Sequence, residues 1–198
     1  MSNTLLPFIK HTSIPKEFWS DLTGKPFEHC ISCECTLLEN NVEYVIEKAL
    51  QSTEVEGIVS TIFEYAMCLP CAGQLRTQLS VESLQNIEQF YRERMSFTAR
   101  RERLMNSELL IEKWIGECIV NQRPCKPGEE YQIYGQCVGE HFLYVDMPFM
   151  ISGEAVDEMV ELISNETLDE LDDFMNDLTA GPPEFKELLE SGGVKVFI

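Results

Sequence analysis

The sequence lacks any long apolar run, and none approaches the roughly 18 consecutive residues that a membrane-spanning helix requires. Its first ten residues also lack a basic stretch followed by an apolar one, which is the pattern of a secretory signal. Both absences favour a cytoplasmic protein, and the eight cysteines are expected to stay reduced in that compartment. Disorder is not expected, because 44% of the 198 residues are hydrophobic.

Basic residues are scarce. The chain has 15 lysines and arginines against 34 acidic residues, which gives a formal net charge of −19. Most of the imbalance lies in residues 106–198, whose net charge is −15, whereas residues 1–105 carry −4. Nucleic-acid binding needs cations set against phosphates, and an acidic field of this size repels a polyanion. The composition therefore argues against DNA or RNA as a partner and favours a protein.

Residues with recognisable catalytic roles are also few. The only histidines are His11, His29 and His141, and none has a neighbour typical of a catalytic site. The sequence contains no Gly-rich phosphate loop, no Ser-His-Asp pattern and no zinc-protease motif. These absences argue against an enzyme, although a pocket between the two halves of the chain remains an alternative site for an unrecognised activity.

What the sequence does contain is two Cys-x-x-Cys pairs, Cys30 with Cys33 and Cys68 with Cys71, separated by 34 residues. Two intervening residues allow a tight turn to direct both sulfur atoms at one ion. Zinc prefers four tetrahedral ligands, and two such pairs fill that shell without leaving a position for water. A closed shell is typical of a structural ion. The spacing therefore predicts one structural Zn²⁺ bound by these four cysteines.

The residues around the pairs strengthen this prediction. The second pair lies where an apolar strand, residues 62–67, meets a helical stretch, residues 72–79, and a helix N-terminus stabilises thiolates. The first pair precedes a predicted hairpin. This order of parts resembles the treble-clef class of zinc fingers over roughly residues 27–80. That class has a turn with one cysteine pair, then a hairpin, then a second pair at the start of a helix. The layout also resembles that of an uncharacterised bacterial family, which implies no function.

Other interpretations of these cysteines explain less. A thioredoxin-like redox site uses one Cys-x-x-Cys pair and leaves the second unexplained. Some treble-clef nucleases place a catalytic histidine between the pairs, but residues 34–67 contain no histidine to serve as a general base. We expect His29 to lie beside the metal ligands rather than among them. Cys35 follows Cys33 too closely to serve easily as a further ligand of the same ion, and it is expected to be a small core residue.

Two further residue sets leave alternatives open. A second zinc site with three cysteines and one histidine is chemically possible, and its ligands would be Cys118, Cys125, Cys137 and His141. The spacing of these residues fits no compact zinc motif. Ordinary core cysteines are therefore favoured instead. Five arginines on one predicted helix form either a nucleic-acid or anion surface, or a charge balance for acidic C-terminal helices. They are Arg92, Arg94, Arg100, Arg101 and Arg103. Charge balance is favoured, because residues 140–190 hold 15 acids and one base.

The hydrophobic pattern predicts an α+β fold. We expect an N-terminal arm (residues 1–27), a four-cysteine zinc module (28–80) and a helical and small-sheet region (81–198) packed on it, possibly as one domain. Strands are predicted at residues 42–50, 57–67, 131–137 and 141–146. Ser80 is the predicted N-cap of a long helix whose inner face carries Leu84, Ile87, Tyr91, Met95 and Thr98. A further helix is expected over residues 107–120, with Leu110, Trp114 and Ile115 facing inward.

Short acidic helices are predicted in the C-terminal part. The first has an apolar face of Val156, Met159, Val160 and Ile163, and the second one of Leu168, Leu171, Met175 and Leu178. Helices this short do not persist alone in water, so residues 154–190 are expected to fold back onto the chain. The sequence as a whole predicts a structural zinc protein that acts as an interaction or regulatory module. An enzyme of unrecognised type and a nucleic-acid binder are the alternatives.

Overall fold

The computed structural model describes residues 9–53, 59–105, 109–165 and residue 167. The strands are β1 (Lys10–Ser13), β2 (Glu43–Ser52), β3 (Val59–Cys68), β4 (Glu130–Val138), β5 (His141–Tyr144) and β6 (Phe149–Ser152). The helices are α1 (Leu69–Gln78), α2 (Val81–Arg94), α3 (Phe97–Met105), α4 (Ile111–Ile115) and α5 (Gly153–Val160). This combination of helices with an antiparallel sheet confirms the coarse α+β class.

All six strands belong to one antiparallel sheet, in which five follow the order β1-β5-β4-β2-β3 and the sixth, β6, pairs with β4. Strand β6 pairs with residues Tyr131–Tyr134 of β4, and β5 pairs with Gln136–Val138 of the same strand. Strands β2 and β4 pair over nine residues, from Glu43 opposite Val138 to Gln51 opposite Glu130. The predicted strands of residues 42–67 and those of residues 131–146 are therefore joined in a single sheet through the pairing of β2 with β4.

Strand β2 is central and is covered on both faces. Its residues from Ile46 to Leu50 are all buried, including the charged side chains of Glu47 and Lys48. On one face the N-terminal segment packs through Phe18, which is fully buried. A Cβ atom on Gly135, the β4 residue opposite Ile46, would lie 2.8 Å from the Phe18 ring and 2.6 Å from the Phe142 ring. Glycine is needed there because these rings press directly on the sheet.

The stretch predicted as one long helix is divided in the structure into α2 and α3. The division falls at Met95, whose backbone is extended (φ −111°, ψ 111°) and whose side chain is buried in the core. The Ser80 prediction is confirmed, because its hydroxyl accepts a hydrogen bond of 3.1 Å from the Ser83 N–H. Phe90 is buried on α2, whereas Thr98, which the periodicity places on the inner face, is exposed on α3. The change of direction at Met95 moves α3 out of the register of the α2 face.

The helix expected over residues 107–120 is limited to α4 within the described residues. Trp114 is buried as predicted, but Leu110 is 42% exposed and does not face inward. After α4 the chain leaves helical geometry, because the Ile119 N–H donates to the Met150 carbonyl at 2.8 Å and Cys118 forms a parallel bridge with Met150. Pairing with β6 therefore replaces the last turns of the predicted helix.

The first predicted acidic helix is α5, and its inner face packs against the sheet. Val156, Met159 and Ile163 are buried, and Val160 is half-buried. The second predicted apolar face, that of Leu168, Leu171, Met175 and Leu178, lies outside the described residues. Within the described ranges, no helix is both long enough and apolar enough to span a membrane.

Candidate metal centre

The first cysteine pair lies in a tight turn, residues 28–37, which we call the cysteine turn. Its two arms are joined by a bridge between His29 and Thr36 and by the Leu37 N–H, which donates to the Glu28 carbonyl at 2.9 Å. At its tip the Glu34 N–H donates to the Cys30 carbonyl at 2.9 Å. Glu34 adopts a left-handed backbone conformation (φ 60°), which reverses the chain directly after Cys33.

The second pair lies at the junction between β3 and α1. Cys68 ends the strand and is the N-cap residue of α1, with an extended backbone (φ −66°, ψ 147°). Pro70 lies at the start of the helix, where the missing N–H and fixed φ of proline are favourable, and Cys71 follows in the first turn. The change from strand to helix therefore turns both thiols toward the same point.

Backbone contacts hold the cysteine turn against this junction. The Ile31 N–H donates to the Ala66 carbonyl of β3 at 2.9 Å, and the Cys68 N–H donates to the Cys30 Sγ at 3.4 Å. Strand β3 is at the edge of the sheet, so its outer backbone groups are available for these bonds. The turn and the helix start thus approach each other across a sheet edge.

All four predicted ligands meet at this point. The sulfur atoms of Cys30, Cys33, Cys68 and Cys71 lie within 4.8 Å of one another, and Cys33 Sγ is 3.7 Å from Cys68 Sγ. Two thiolates on a tetrahedral zinc, each about 2.3 Å from the ion, would be separated by about 3.8 Å. Cys33 is exposed and the other three are buried. The cluster is close enough to bind one metal ion, and its all-sulfur chemistry suits a soft or borderline one.

The environment of the thiols changes their pKa values in opposite directions. The backbone N–H of Cys35, followed by hydrogen bonds with the thiols of Cys35, Cys71 and Cys30, lowers the pKa of Cys33 to about 6. Burial raises the pKa of Cys68 to about 11 and that of Cys71 to about 12. A metal ion binds thiolates, so its charge must offset the burial of the last two and displace their protons.

Cys35 and His29 border the cluster without completing it. The Cys35 carbonyl accepts a 2.9 Å bond from the Cys30 N–H, and burial raises the pKa of the Cys35 thiol. The His29 Nδ1 lies 3.2 Å from the Glu34 carbonyl, and its ring is exposed. Neither belongs to the group of four sulfur atoms that lie close together. Both residues instead support the backbone of the cysteine turn.

The second predicted set of possible ligands is not brought together. Cys137 is fully buried in β4, and Cys118 accepts hydrogen bonds from the Ser152 N–H (3.3 Å) and hydroxyl (3.4 Å). The Cys125 thiol donates to the Glu129 carbonyl at 3.5 Å. In the part of the chain that the structure describes, the four-cysteine cluster is the only group of three or more suitable side chains placed to hold a metal. The interpretation of these residues as ordinary packed cysteines is therefore favoured.

The arginines predicted as a possible nucleic-acid surface mostly face acidic groups. Arg92 lies 3.4 Å from Glu88, Arg94 lies 2.9 Å from Glu158, and Arg101 lies 3.4 Å from Asp146. Arg100 donates instead to the carbonyls of Trp114 and Pro148. The guanidinium groups of these four arginines are therefore already engaged by carboxylates or carbonyls of the same chain.

Two buried charged residues in β2 escaped the sequence analysis. Lys48 lies between two carboxylates, with its Nζ 2.9 Å from Asp21 and 3.0 Å from Glu64, and it also donates to the Trp19 carbonyl at 2.6 Å. Partial burial alone would raise the pKa of Asp21, but its hydrogen bond from Thr61 and the Lys48 ammonium hold that pKa below its usual value. The charge pair in the middle of an apolar strand was a signal that could have identified this network.

Glu47 faces the opposite side of the sheet. It lies directly between Tyr65 of β3 and Tyr134 of β4 in the strand register, and paired residues in antiparallel strands point to the same face. The Tyr65 hydroxyl donates to one oxygen of the Glu47 carboxylate, and the Tyr134 hydroxyl donates to the other at 3.3 Å. Burial, and then the carboxylate, raise the pKa of both phenols well above the usual value. The phenols therefore remain neutral donors that satisfy a buried carboxylate.

Comparison of the chain with protein-family models, curated proteins and solved structures gives no significant match.

Proposed function

We propose that this chain is a zinc-stabilised interaction or regulatory module, in which Cys30, Cys33, Cys68 and Cys71 bind one structural Zn²⁺. The observation that carries the proposal is the convergence of the four sulfur atoms within 4.8 Å. Four thiolates leave no position for water or substrate, so the ion would hold the fold together rather than act on a substrate. Thiolate ligands require reduced cysteines, which agrees with a cytoplasmic location.

The order of the parts supports a treble-clef arrangement for this module. The cysteine turn comes first, the β2–β3 hairpin follows, and the N-terminus of α1 supplies the last ligand. The hairpin strands are ten residues each and continue into the six-stranded sheet. We therefore propose that the four-cysteine module and the C-terminal region form one domain, with the β2–β4 pairing as their link.

A protein is the proposed partner class. The net charge of −19 disfavours a polyanion, and acidic groups or carbonyls already engage the four arginines described above. Of the two alternatives, a nucleic-acid binder would need those ion pairs to open. An enzyme would need a reactive group, and a closed thiolate shell does not supply one.

Metal analysis of the purified full-length chain tests the proposal. Protein isolated without added metal should contain one zinc per chain, and a strong chelator should remove it with loss of cooperative thermal unfolding. The proposal predicts that re-added zinc restores that transition, whereas magnesium does not, because thiolates bind magnesium poorly. Protein that is fully folded with no metal, or that holds two zinc ions per chain, would contradict it.

A further inference from the structure

The cysteine turn contains a fifth thiol that the proposed metal shell does not use. Cys35 lies two residues after Cys33 and is half-buried, and its sulfur does not belong to the group of four that lie close together. All eight cysteines of the chain are free thiols. A spare thiol beside a set of thiolate ligands can form a disulfide with one of them and so remove that ligand from the set.

The Cys35 thiol lies directly beside that of Cys33. The Cys33 sulfur accepts a hydrogen bond from the Cys35 N–H, and the two thiols are hydrogen-bonded to each other. Glu34, which separates them, has the left-handed backbone conformation that reverses the chain (φ 60°). Sulfur atoms in hydrogen-bond contact need only a small side-chain movement to reach the length of a disulfide bond, about 2.05 Å. The two residues are therefore placed to form a disulfide within the cysteine turn.

One of the four proposed ligands is open to an oxidant in solution. Cys33 is exposed at the tip of the turn, whereas the other three ligand cysteines are buried. Bound zinc would keep the Cys33 sulfur as a thiolate, which is the form that oxidants attack. Hydrogen peroxide is small and uncharged, so the net charge of −19 does not repel it. Cys33 is therefore the ligand at which peroxide is expected to react first.

We infer that Cys33 and Cys35 form a redox switch that controls metal retention at this centre, an inference that rests on the proposed zinc site. The Cys33 thiolate attacks one oxygen of hydrogen peroxide, the O–O bond breaks, and a sulfenic acid forms while hydroxide leaves. The Cys35 sulfur then attacks the Cys33 sulfur, and the sulfenic hydroxyl departs with the Cys35 proton as water. The two sulfur atoms together lose two electrons, which the peroxide oxygens gain.

This disulfide removes one of the four proposed ligands. Three thiolates do not close a tetrahedral zinc shell, so the ion should be held more weakly and pass to a competing chelator. Exposed disulfides are among those that are readily reduced, so a dithiol reductant should restore both thiols and the metal site. The turn would thus release zinc under oxidation and bind it again after reduction.

Cys68 is the competing partner for an oxidised Cys33, because its sulfur is 3.7 Å from the Cys33 sulfur. It is a proposed ligand itself, however, and it is buried at the junction between β3 and α1. Cys35 has neither constraint, since its sulfur is not among the proposed ligands and it lies on the same turn as Cys33. Cys35 is therefore the expected partner.

Peroxide treatment of the full-length, zinc-loaded chain tests the inference. Hydrogen peroxide is added in small molar excess, and a coloured zinc chelator in the solution reports the release of the ion. The remaining thiols are then alkylated, and mass spectrometry of the peptides identifies the cysteines that were protected. We expect zinc release together with protection of Cys33 and Cys35, and return to one zinc per chain after a dithiol reductant and fresh zinc are added.

Cys35→Ser removes the second thiol and keeps the four proposed ligands. The Cys33 sulfenic acid then has no partner in the turn, so further peroxide should convert it to sulfinic acid, which dithiols do not reduce. Zinc loss should therefore be irreversible in this variant and reversible in the wild type. Cys125→Ser, which removes another half-buried thiol far away in sequence, should behave like the wild type.

The measurements separate failure of the switch from failure of the zinc site. Protein that holds no zinc before peroxide is added contradicts the proposed function, and the switch with it. The redox inference alone is overturned if zinc is present at the start but stays bound after peroxide, or if Cys33 is protected together with Cys68. Fully reversible zinc loss in Cys35→Ser would also overturn it, because Cys35 would then have no part in the reaction.

Discussion

At the scale of single residues, Cys71 and Cys35 form a matched pair for testing the metal ligands. Both thiols are at least partly buried near the cluster, but only Cys71 belongs to the four convergent sulfur atoms. Structural zinc sites contribute apparent binding free energies of about 10–16 kcal/mol, so loss of one thiolate should release the ion and destabilise the cysteine turn and α1. Cys71→Ser is expected to lose zinc and to melt at a lower temperature, as measured by metal content and calorimetry.

Cys35→Ser is the control, and it should keep one zinc per chain and nearly the wild-type melting temperature. Equal zinc retention in both variants would remove Cys71 from the ligand set. Zinc loss in Cys35→Ser alone would exchange the roles of the two residues.

The buried lysine of β2 gives a second prediction. Lys48→Met would leave the Glu64 carboxylate, whose side chain is only 12% exposed, without its cation. Removing one member of a buried ion pair typically costs 3–5 kcal/mol, and about 3 kcal/mol is expected here because Asp21, the other partner, is 55% exposed. The free energy of unfolding in urea measures this change.

Lys126→Met provides the comparison, because that side chain is 68% exposed and 3.8 Å from Glu129. It should change the free energy of unfolding by at most about 0.5 kcal/mol. If both variants lost a similar free energy of unfolding, Lys48 would behave as a surface residue. That outcome would contradict the buried ion pairs described for Lys48.

At the scale of elements, the sequence predicted those strands and helix ends that depend on the local pattern of residues. Strands β2 to β5 follow from alternating and β-branched residues, and Ser80 follows from the chemistry of helix caps. The break at Met95 does not follow, because Met95 leaves helical geometry to enter the core and nothing in its neighbours marks this. Strands β1 and β6 are four residues each and exist through pairing with β5 and β4. Such pairing is a tertiary contact, so the local residue pattern does not predict these two strands.

The convergence of the four cysteines was predictable for the same reason. The two-residue spacing within each Cys-x-x-Cys pair already implies that both sulfur atoms of the pair are directed at one point. The fold then needs only to bring the cysteine turn next to the start of α1. The Glu47 and Lys48 networks depend instead on which strands flank β2. The β2–β4 register places Tyr134 opposite Glu47, 87 residues away along the chain. The β2–β3 register places Tyr65 opposite Glu47 and Glu64 opposite Lys48, and Asp21 comes from the N-terminal segment.

Four hydroxyl groups join α2 to the segment that follows α5. Ser80 and Ser83 at the start of α2 meet Ser164 and Thr167, with the Ser80 Oγ 2.8 Å from the Ser83 Oγ and 3.2 Å from the Ser164 Oγ. Ser83, which is 1% exposed, also accepts a 2.9 Å bond from the Ser164 N–H. This hydroxyl cluster fixes the end of the described C-terminal segment on the N-terminus of α2.

Ser83→Ala should therefore loosen this junction. The Ser164 N–H would lose its acceptor in a partly buried position, at a cost of about 1–3 kcal/mol. Faster hydrogen–deuterium exchange is expected in residues 153–165, together with a lower free energy of unfolding. Ser60→Ala, at an exposed position of β3, should change neither quantity appreciably. Unchanged exchange near Ser164 in the Ser83 variant would mean that apolar packing alone holds the segment.

At the scale of the whole molecule, the charge asymmetry and the single sheet have to be understood together. The strongly acidic C-terminal part could have been a separate tail, but α5 packs on the same sheet that contains the β2–β3 hairpin of the candidate metal centre. Arg94 of α2 pairs with Glu158 of α5, although an exposed pair of this kind contributes only about 0–1 kcal/mol. Apolar burial must therefore hold the two parts together.

Truncation after Ser152 tests whether the C-terminal segment belongs to this fold. The buried side chains Val156, Met159 and Ile163 would be lost, and each such burial contributes about 1.5–3 kcal/mol. The sum, about 5–9 kcal/mol, is comparable to the total stability of a domain, about 5–15 kcal/mol. The shortened chain should aggregate or lose cooperative unfolding even with zinc present, as followed by light scattering and calorimetry. Truncation after Thr167 keeps α5 and the hydroxyl cluster, so its unfolding should remain cooperative. If the chain ending at Ser152 is soluble and equally stable, the segment is a detachable tail, and its apolar face is then open to a partner protein.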